Sequence, residues 1–153
     1  GGQSDAAVSM ACTHSDWMFL NGGTIEKQSA VIDKVRQVAG DGRCPRFAVY
    51  GIPICRPTDA EAQAVIETML ANVDEATLAA RKKRVSGAEG MWSGADRLSL
   101  LDSNEGYATG LVGSPETIIR QVTALRSIGV EMLHFTLGDA LFEDAVLPKL
   151  PAL

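Results

Sequence analysis

Two rhythms of apolar residues take turns along this chain. Short continuous apolar runs predict strands, and runs recurring every three or four positions predict helices. Ser4 can cap a helix running to about Thr13, with Ala7, Met10 and Ala11 on its inner face. Asp16-Trp17-Met18-Phe19-Leu20 has the unbroken apolar character of a strand buried on both faces. Asn21-Gly22-Gly23 breaks it. A second helix follows from about Thr24, with Ile25, Ile32, Val35 and Val38-Ala39 at helical spacing, and Gly40-Asp41-Gly42 closes it. Arg46 to Cys55 is the second strand. Its pairing should weaken near Pro53, which has no amide hydrogen for a ladder. Thr58-Asp59-Ala60-Glu61 is a capping box, followed by a stripe of Ala62, Val65, Ile66 and Met69. Asp74 caps a fourth helix running to about Val85.

Between Ser86 and Gly113 the rhythm dissolves among five glycines and Asp102-Ser103-Asn104. It returns at Ser114-Pro115-Glu116, which combines an N-cap, a proline at the first helical position and an acid in the first turn. Ile118, Ile119, Val122 and Leu125 form the inner stripe of that helix, and Gly129 ends it. Val130 to Leu137 is the last strand, and a terminal helix begins near Leu141. Strands that alternate with helical crossovers are parallel, so the predicted class is α/β. The first two strands start about thirty residues apart and the third more than eighty later. One domain over residues 1–153, carrying an insertion at about 57–113, accounts for that spacing.

Composition narrows the picture. Apolar residues make up 46% of the 153, which is enough for a packed core and too many for intrinsic disorder. No apolar run approaches the length of a membrane span. Fourteen Lys and Arg against 19 Asp and Glu give a net charge of −5, which argues against a dedicated nucleic-acid binder. Arg81-Lys82-Lys83-Arg84 reads as a solvated helix face. Cys12, Cys44 and Cys55 are odd in number and scattered, as free thiols of a reducing cytoplasm would be. His14 and His134 are far apart, so no metal site is expected. Gly1-Gly2-Gln3-Ser4 reads as a strand-to-helix turn without its strand, from which we expect the C-terminal part of a longer protein. An expression scar or a processed end is the other reading.

In parallel α/β folds, ligands bind at the C-terminal ends of the strands. Gly2, Gln3 and Ser4 fall at such an end. Small residues, free amides and a hydroxyl at a helix N-terminus suit a phosphate, and suit a plain capped turn equally. Asn21-Gly22-Gly23 carries the same ambiguity and leans to the structural side. The loop holding Met91, Trp92, Arg97, Asn104 and Tyr107 is either a lid that excludes water or an ordinary surface loop. Within the lid, Trp92 and Arg97 could cover an aromatic ring or an anion. His134, inside an apolar strand, reads as a core histidine, and Cys55 as a small buried residue.

GGQSDAAVSMACTHSDWMFLNGG, RFAVYGIPICRPTDAEA and LVGSPETIIRQVTALRSIGVEMLHFTL together resemble bacterial-luciferase-like flavin-dependent monooxygenases, in the branch of alkanesulfonate and pyrimidine monooxygenases. The resemblance implies the C-terminal part of a (β/α)8 TIM barrel, strands six to eight, with a lid inserted before the last βα unit. It also implies reduced FMN supplied by a separate flavin reductase, a small organic substrate, O2, and a homo-oligomer when full length. Gly2, Gln3 and Ser4 match the family's phosphate-gripping turn, and Arg97 is a candidate for closing on an anion. Where the alkanesulfonate enzymes carry an arginine and a histidine, this chain has Tyr50 and Ile52. Where they carry a tyrosine after the last strand, it has Gly138 or Asp139. Two rivals stand beside this reading: a hydride-transfer relative using the deazaflavin F420, and a segment that serves only packing or dimerisation.

Overall fold

The computed structural model describes residues 2–74, 76, 98, 101, 102 and 104–150. Its elements in chain order are α1 (Asp5–His14), β1 (Trp17–Leu20), α2 (Ile25–Ala39), β2 (Arg46–Gly51), β3 (Ile54–Cys55) and α3 (Asp59–Ala71). A 3-10 turn at Gly106–Thr109 leads to β4 (Val112–Gly113), α4 (Pro115–Ser127), β5 (Val130–Phe135) and α5 (Ala140–Ala145). The described residues are thus mixed α/β with parallel pairing throughout. The main sheet has the order β1-β2-β5, and β3 and β4 form a separate two-stranded ladder.

Local chemistry sets most helix boundaries. Ser4, Thr24 and Ser114 each accept a backbone N–H from the first turn of the helix they precede. Thr58 and Glu61 complete their capping box. Caps of this kind contribute about 1 kcal/mol each. Gly40 (φ 53°) and Gly129 (φ 108°) supply the left-handed conformations that let α2 and α4 stop.

The expected strand from Arg46 to Cys55 divides at Ile52-Pro53. Beyond the break, β3 leaves the main sheet and pairs with β4, a two-residue strand that the apolar rhythm did not predict. Pro53 cannot donate, and Ile52 gives its N–H to the Gly106 carbonyl instead of to a strand. Asp74 accepts from the Ala76 amide at 3.1 Å; the rest of the helix expected to Val85 lies outside the described residues, as do Arg81, Lys82, Lys83 and Arg84.

Side-chain facing departs from expectation in four places. Met10 is 57% exposed, and Val8 takes its place in the core with Ala11. Val38 is half exposed, and Gln28 lies buried on the inner side of α2 beside Ile32 and Val35. The strand Trp17–Leu20 is buried on one face only. Met18 and Leu20 pack under α1 and α2 with Phe47 and Val49, while Phe19 is 41% exposed on the other face. The described helices therefore cover one face of the sheet. The opposite face, which none of the described helices covers, presents Phe19, Tyr50, Met132 and His134. His134 is consequently not a core histidine: its neighbours Leu133 and Phe135 pack toward the helices and turn it outward. Cys55 is fully buried, as expected.

Candidate functional site

The first candidate region is the turn before α1. Gly2 adopts φ +126°, which favours glycine, and a Cβ there would press on the Cβ of Ala7 at 3.0 Å. Ser4 is extended (φ −67°, ψ 156°) and its Oγ accepts from the Ala7 amide at 3.3 Å. The amides of Asp5 and Ala6 have no carbonyl four residues back within the helix, so they remain available as donors. Lys34, reaching across from α2, donates to the Gln3 carbonyl at 3.1 Å and pairs with Asp5 Oδ1 at 2.7 Å. The hydrogen bond and charge of Lys34 hold the Asp5 carboxyl below its usual range. The turn thus collects two free amides, a surface hydroxyl and an ammonium group around a glycine cradle. That donor set fits a phosphate.

The second region is the C-terminal end of β1 and β2, where the segment 104–110 lies across both strands. Gly22 donates to the Asn104 carbonyl at 2.8 Å, and a Cβ at Gly22 would overlap the Glu105 backbone. Asn21-Gly22-Gly23 is therefore fixed by close chain approach, which is the structural reading of that turn. Thr109, fully buried, ties the strap down. Its hydroxyl accepts from Gly23 N–H at 3.2 Å and donates to the Tyr50 carbonyl at 2.6 Å. Glu105, at φ 60° the one non-glycine with positive φ among the described residues, forms an ion pair with Lys27.

Below the strap a cavity of about 360 Å³ opens on the uncovered face, lined by Phe19, Asn21, Tyr50, Asn104, His134 and Thr136. Ladder register sets Tyr50 opposite His134. The His134 ring stands edge-on to Phe19 at 5.6 Å and to Tyr50 at 5.7 Å. β2 separates β1 from β5. Its Ala48, opposite Phe19 in the ladder, is small enough to let Phe19 and His134 meet over it. Burial pushes the Tyr50 phenol up, with the Asp102 carboxylate adding to the rise and a Thr136 hydrogen bond opposing it. Tyr50 therefore stays protonated near neutrality and can donate.

Of the residues singled out from sequence, Gly2, Gln3 and Ser4 come together at one helix end, whereas Trp92 and Arg97 lie outside the described residues. Lys34, Lys27, Glu105 and Thr109 were not singled out, because each acts on residues distant in sequence. Among the described residues no cluster of His, Cys, Asp and Glu could hold a metal ion. No described helix is long and apolar enough to cross a membrane.

The turn before α1, whose donors could take a phosphate, and the cavity at the strand ends are thus the two candidate sites of this parallel α/β architecture. The particular family is settled by comparison. The luciferase-like monooxygenase profile matches residues 1–132, and the chain belongs to that family. It is 34% identical over 161 aligned residues to an FMNH2-dependent dimethylsulfone monooxygenase of Pseudomonas putida, covering 97% of this chain and 44% of that protein. It is 32% identical to a protein of the same description from Pseudomonas fluorescens, again over 44% of its length. The chain thus spans less than half of these relatives. Among solved structures it resembles a long-chain alkane monooxygenase, with a TM-score of 0.65 and 17% identity over 97% of this chain and 39% of that one. It also resembles the coenzyme F420-dependent tetrahydromethanopterin reductase of Methanopyrus kandleri, with a TM-score of 0.55 and 15% identity over 95% of this chain and 48% of that one. At such identities the likeness is one of fold.

Proposed function

We propose that the protein is an FMNH2-dependent monooxygenase that oxygenates a small organic substrate with O2, and that this chain forms the C-terminal part of its (β/α)8 barrel. The observation that carries the reading is the turn before α1. Its glycine cradle, Ser4 hydroxyl and first-turn amides lie at one helix end, with Lys34 beside them paired to Asp5, and this set supports a place for the FMN phosphate. Relatives more than 30% identical, which are FMNH2-dependent monooxygenases, support the choice of cofactor. The F420-dependent relative shares the fold alone and favours no cofactor.

Gly2, Gln3 and Ser4 would hold the phosphate, with Lys34 offsetting the charge of the neighbouring Asp5 carboxylate. Bound reduced FMN supplies two electrons to O2, so that one oxygen atom enters the substrate and the other leaves as water. A separate flavin reductase would deliver the reduced cofactor, and the complete enzyme would be a cytoplasmic homo-oligomer. The uncovered sheet face belongs to the barrel interior in this reading, and Phe19 and Met132, exposed here, line it. Residues 86–113 take the part of a lid within an insertion at 57–113, with Trp92 and Arg97 as the candidates for closing over the site. The strap of residues 104–110 anchors the end of that insertion to the strand tips through Thr109 and Glu105.

A flavin titration tests the assignment. A hydrogen bond to a charged group contributes about 1.5–3 kcal/mol, so Ser4→Ala in the complete protein weakens FMN binding by roughly ten- to a hundredfold. Unchanged affinity for FMN would remove Ser4 from the site and leave the turn as a plain helix cap.

A further inference from the structure

His134 is an unusual residue to find where it stands. It sits on the uncovered face in the C-terminal half of β5, and two aromatic rings meet its imidazole edge-on. Those ring contacts fix the plane of the imidazole but use neither nitrogen. Among the described residues nothing hydrogen-bonds to them. The imidazole borders the cavity of about 360 Å³ together with the Tyr50 phenol, the Asn21 and Asn104 amides and the Thr136 hydroxyl. Every one of these groups can donate a hydrogen bond, and no lysine or arginine is among the lining residues. The nearby Asp102 carboxylate, which acts electrostatically on Tyr50 and Tyr107, works against any anion placed there. Phe19 and the face of the Tyr50 ring supply the apolar wall.

We propose that His134 and Tyr50 are the donor pair that seats the oxygen acceptor of a small uncharged substrate in this cavity, with Phe19 holding the imidazole in position. The inference rests on the monooxygenase reading and deepens it. It assigns the substrate side of the site to β2 and β5, apart from the phosphate turn at α1. The imidazole offers an N–H, and the phenol a second donor on the neighbouring strand, so an oxygen lodged between them receives two hydrogen bonds. A sulfone, sulfoxide, amide or ketone meets that demand. A sulfonate brings a charge that the donor set does not neutralise.

Dimethyl sulfone is a suitable probe, and methanesulfonate its charged counterpart. Binding of both is measured by calorimetry on the complete protein, with and without saturating oxidised FMN. His134→Phe keeps a ring between Phe19 and Tyr50 and removes the nitrogens, so dimethyl sulfone binding weakens about tenfold. Tyr50→Phe weakens it by a similar factor, and His134→Asn, which keeps a donor, recovers part of the loss. FMN affinity and the melting temperature stay within error of the parent in all three, which a merely structural role for His134 would not allow. Dimethyl sulfone binding to His134→Phe at parental strength overturns the proposal. So does parental protein that binds methanesulfonate as well as it binds the sulfone, or that binds FMN without binding the sulfone. A parental protein that binds the sulfone in a His134-dependent way but not FMN would instead overturn the flavin reading. One that binds neither overturns both.

Discussion

Thr109→Val isolates the strap that crosses the strand ends. Thr109 is fully buried, and its hydroxyl joins two chain segments by accepting from Gly23 N–H at 3.2 Å and donating to the Tyr50 carbonyl at 2.6 Å. Valine matches threonine in shape and removes only the oxygen. The buried Gly23 amide then has no acceptor, and an unsatisfied buried donor costs about 1–3 kcal/mol. We expect Thr109→Val to destabilise the protein by about 2 kcal/mol on that scale. Thr109→Ser keeps the hydroxyl and loses one methyl group, which costs about 1 kcal/mol. The more hydrophobic substitution is therefore the more damaging one, the reverse of what simple core packing would give. Urea unfolding followed by circular dichroism supplies both values from the midpoint and slope. A Thr109→Val protein within about 0.5 kcal/mol of the parent, or more stable than Thr109→Ser, would show that the hydroxyl does not hold the strap.

Two further outcomes follow from the same geometry and sequence. The Asp59 carboxylate links α3 to α4 by accepting from Ser114 N–H at 2.6 Å and Thr117 Oγ1 at 2.9 Å, and the Ser114 bonds, then that of Thr117, hold its pKa below the ordinary 3.8. A lowered folded-state pKa contributes stability that is present above 3.8 and lost as the pH falls through the folded value, so Asp59→Asn flattens the acid limb of a stability-versus-pH curve; parallel acid limbs would count against the link. Arg97→Ala lowers turnover of the complete enzyme more than it lowers stability, and equal losses of both would deny Arg97 a role in closure.

What the sequence disclosed about the fold was what neighbouring residues decide among themselves. Thr58 and Glu61 lie three positions apart and make their two hydrogen bonds to each other's backbone. Ser114 and Pro115 mark the start of α4 by a cap and a first-turn proline that neighbouring residues define. The facing of β1 was hidden because Trp17, Met18, Phe19 and Leu20 are all apolar, so no period of two distinguishes the face under the helices from the open one. β3 and β4, two residues each, are too short for any period to register. Their pairing follows from Pro53 breaking the ladder, and the sequence could show the break but not the partner.

The site divides along the same line. Ser4 was legible because a cap is a contact between residues three apart, whereas Lys34 reaches the same turn from 31 residues away and leaves no local trace. Lys27 meets Glu105 across 78 residues, through a backbone bend that glutamate seldom adopts. His134 is a different case, since the information was present. Met132, His134 and Thr136 alternate with Leu133 and Phe135, and only the second set packs against helix residues. That alternation does not show as a clean polar–apolar period, because Met132 is apolar yet stands on the same face as His134 and Thr136. An apolar residue on the open face made a two-sided strand look like a one-sided problem. In a strand of this kind the polar positions locate the binding face better than the apolar ones locate the core, since burying histidine or threonine without a partner costs more than exposing methionine.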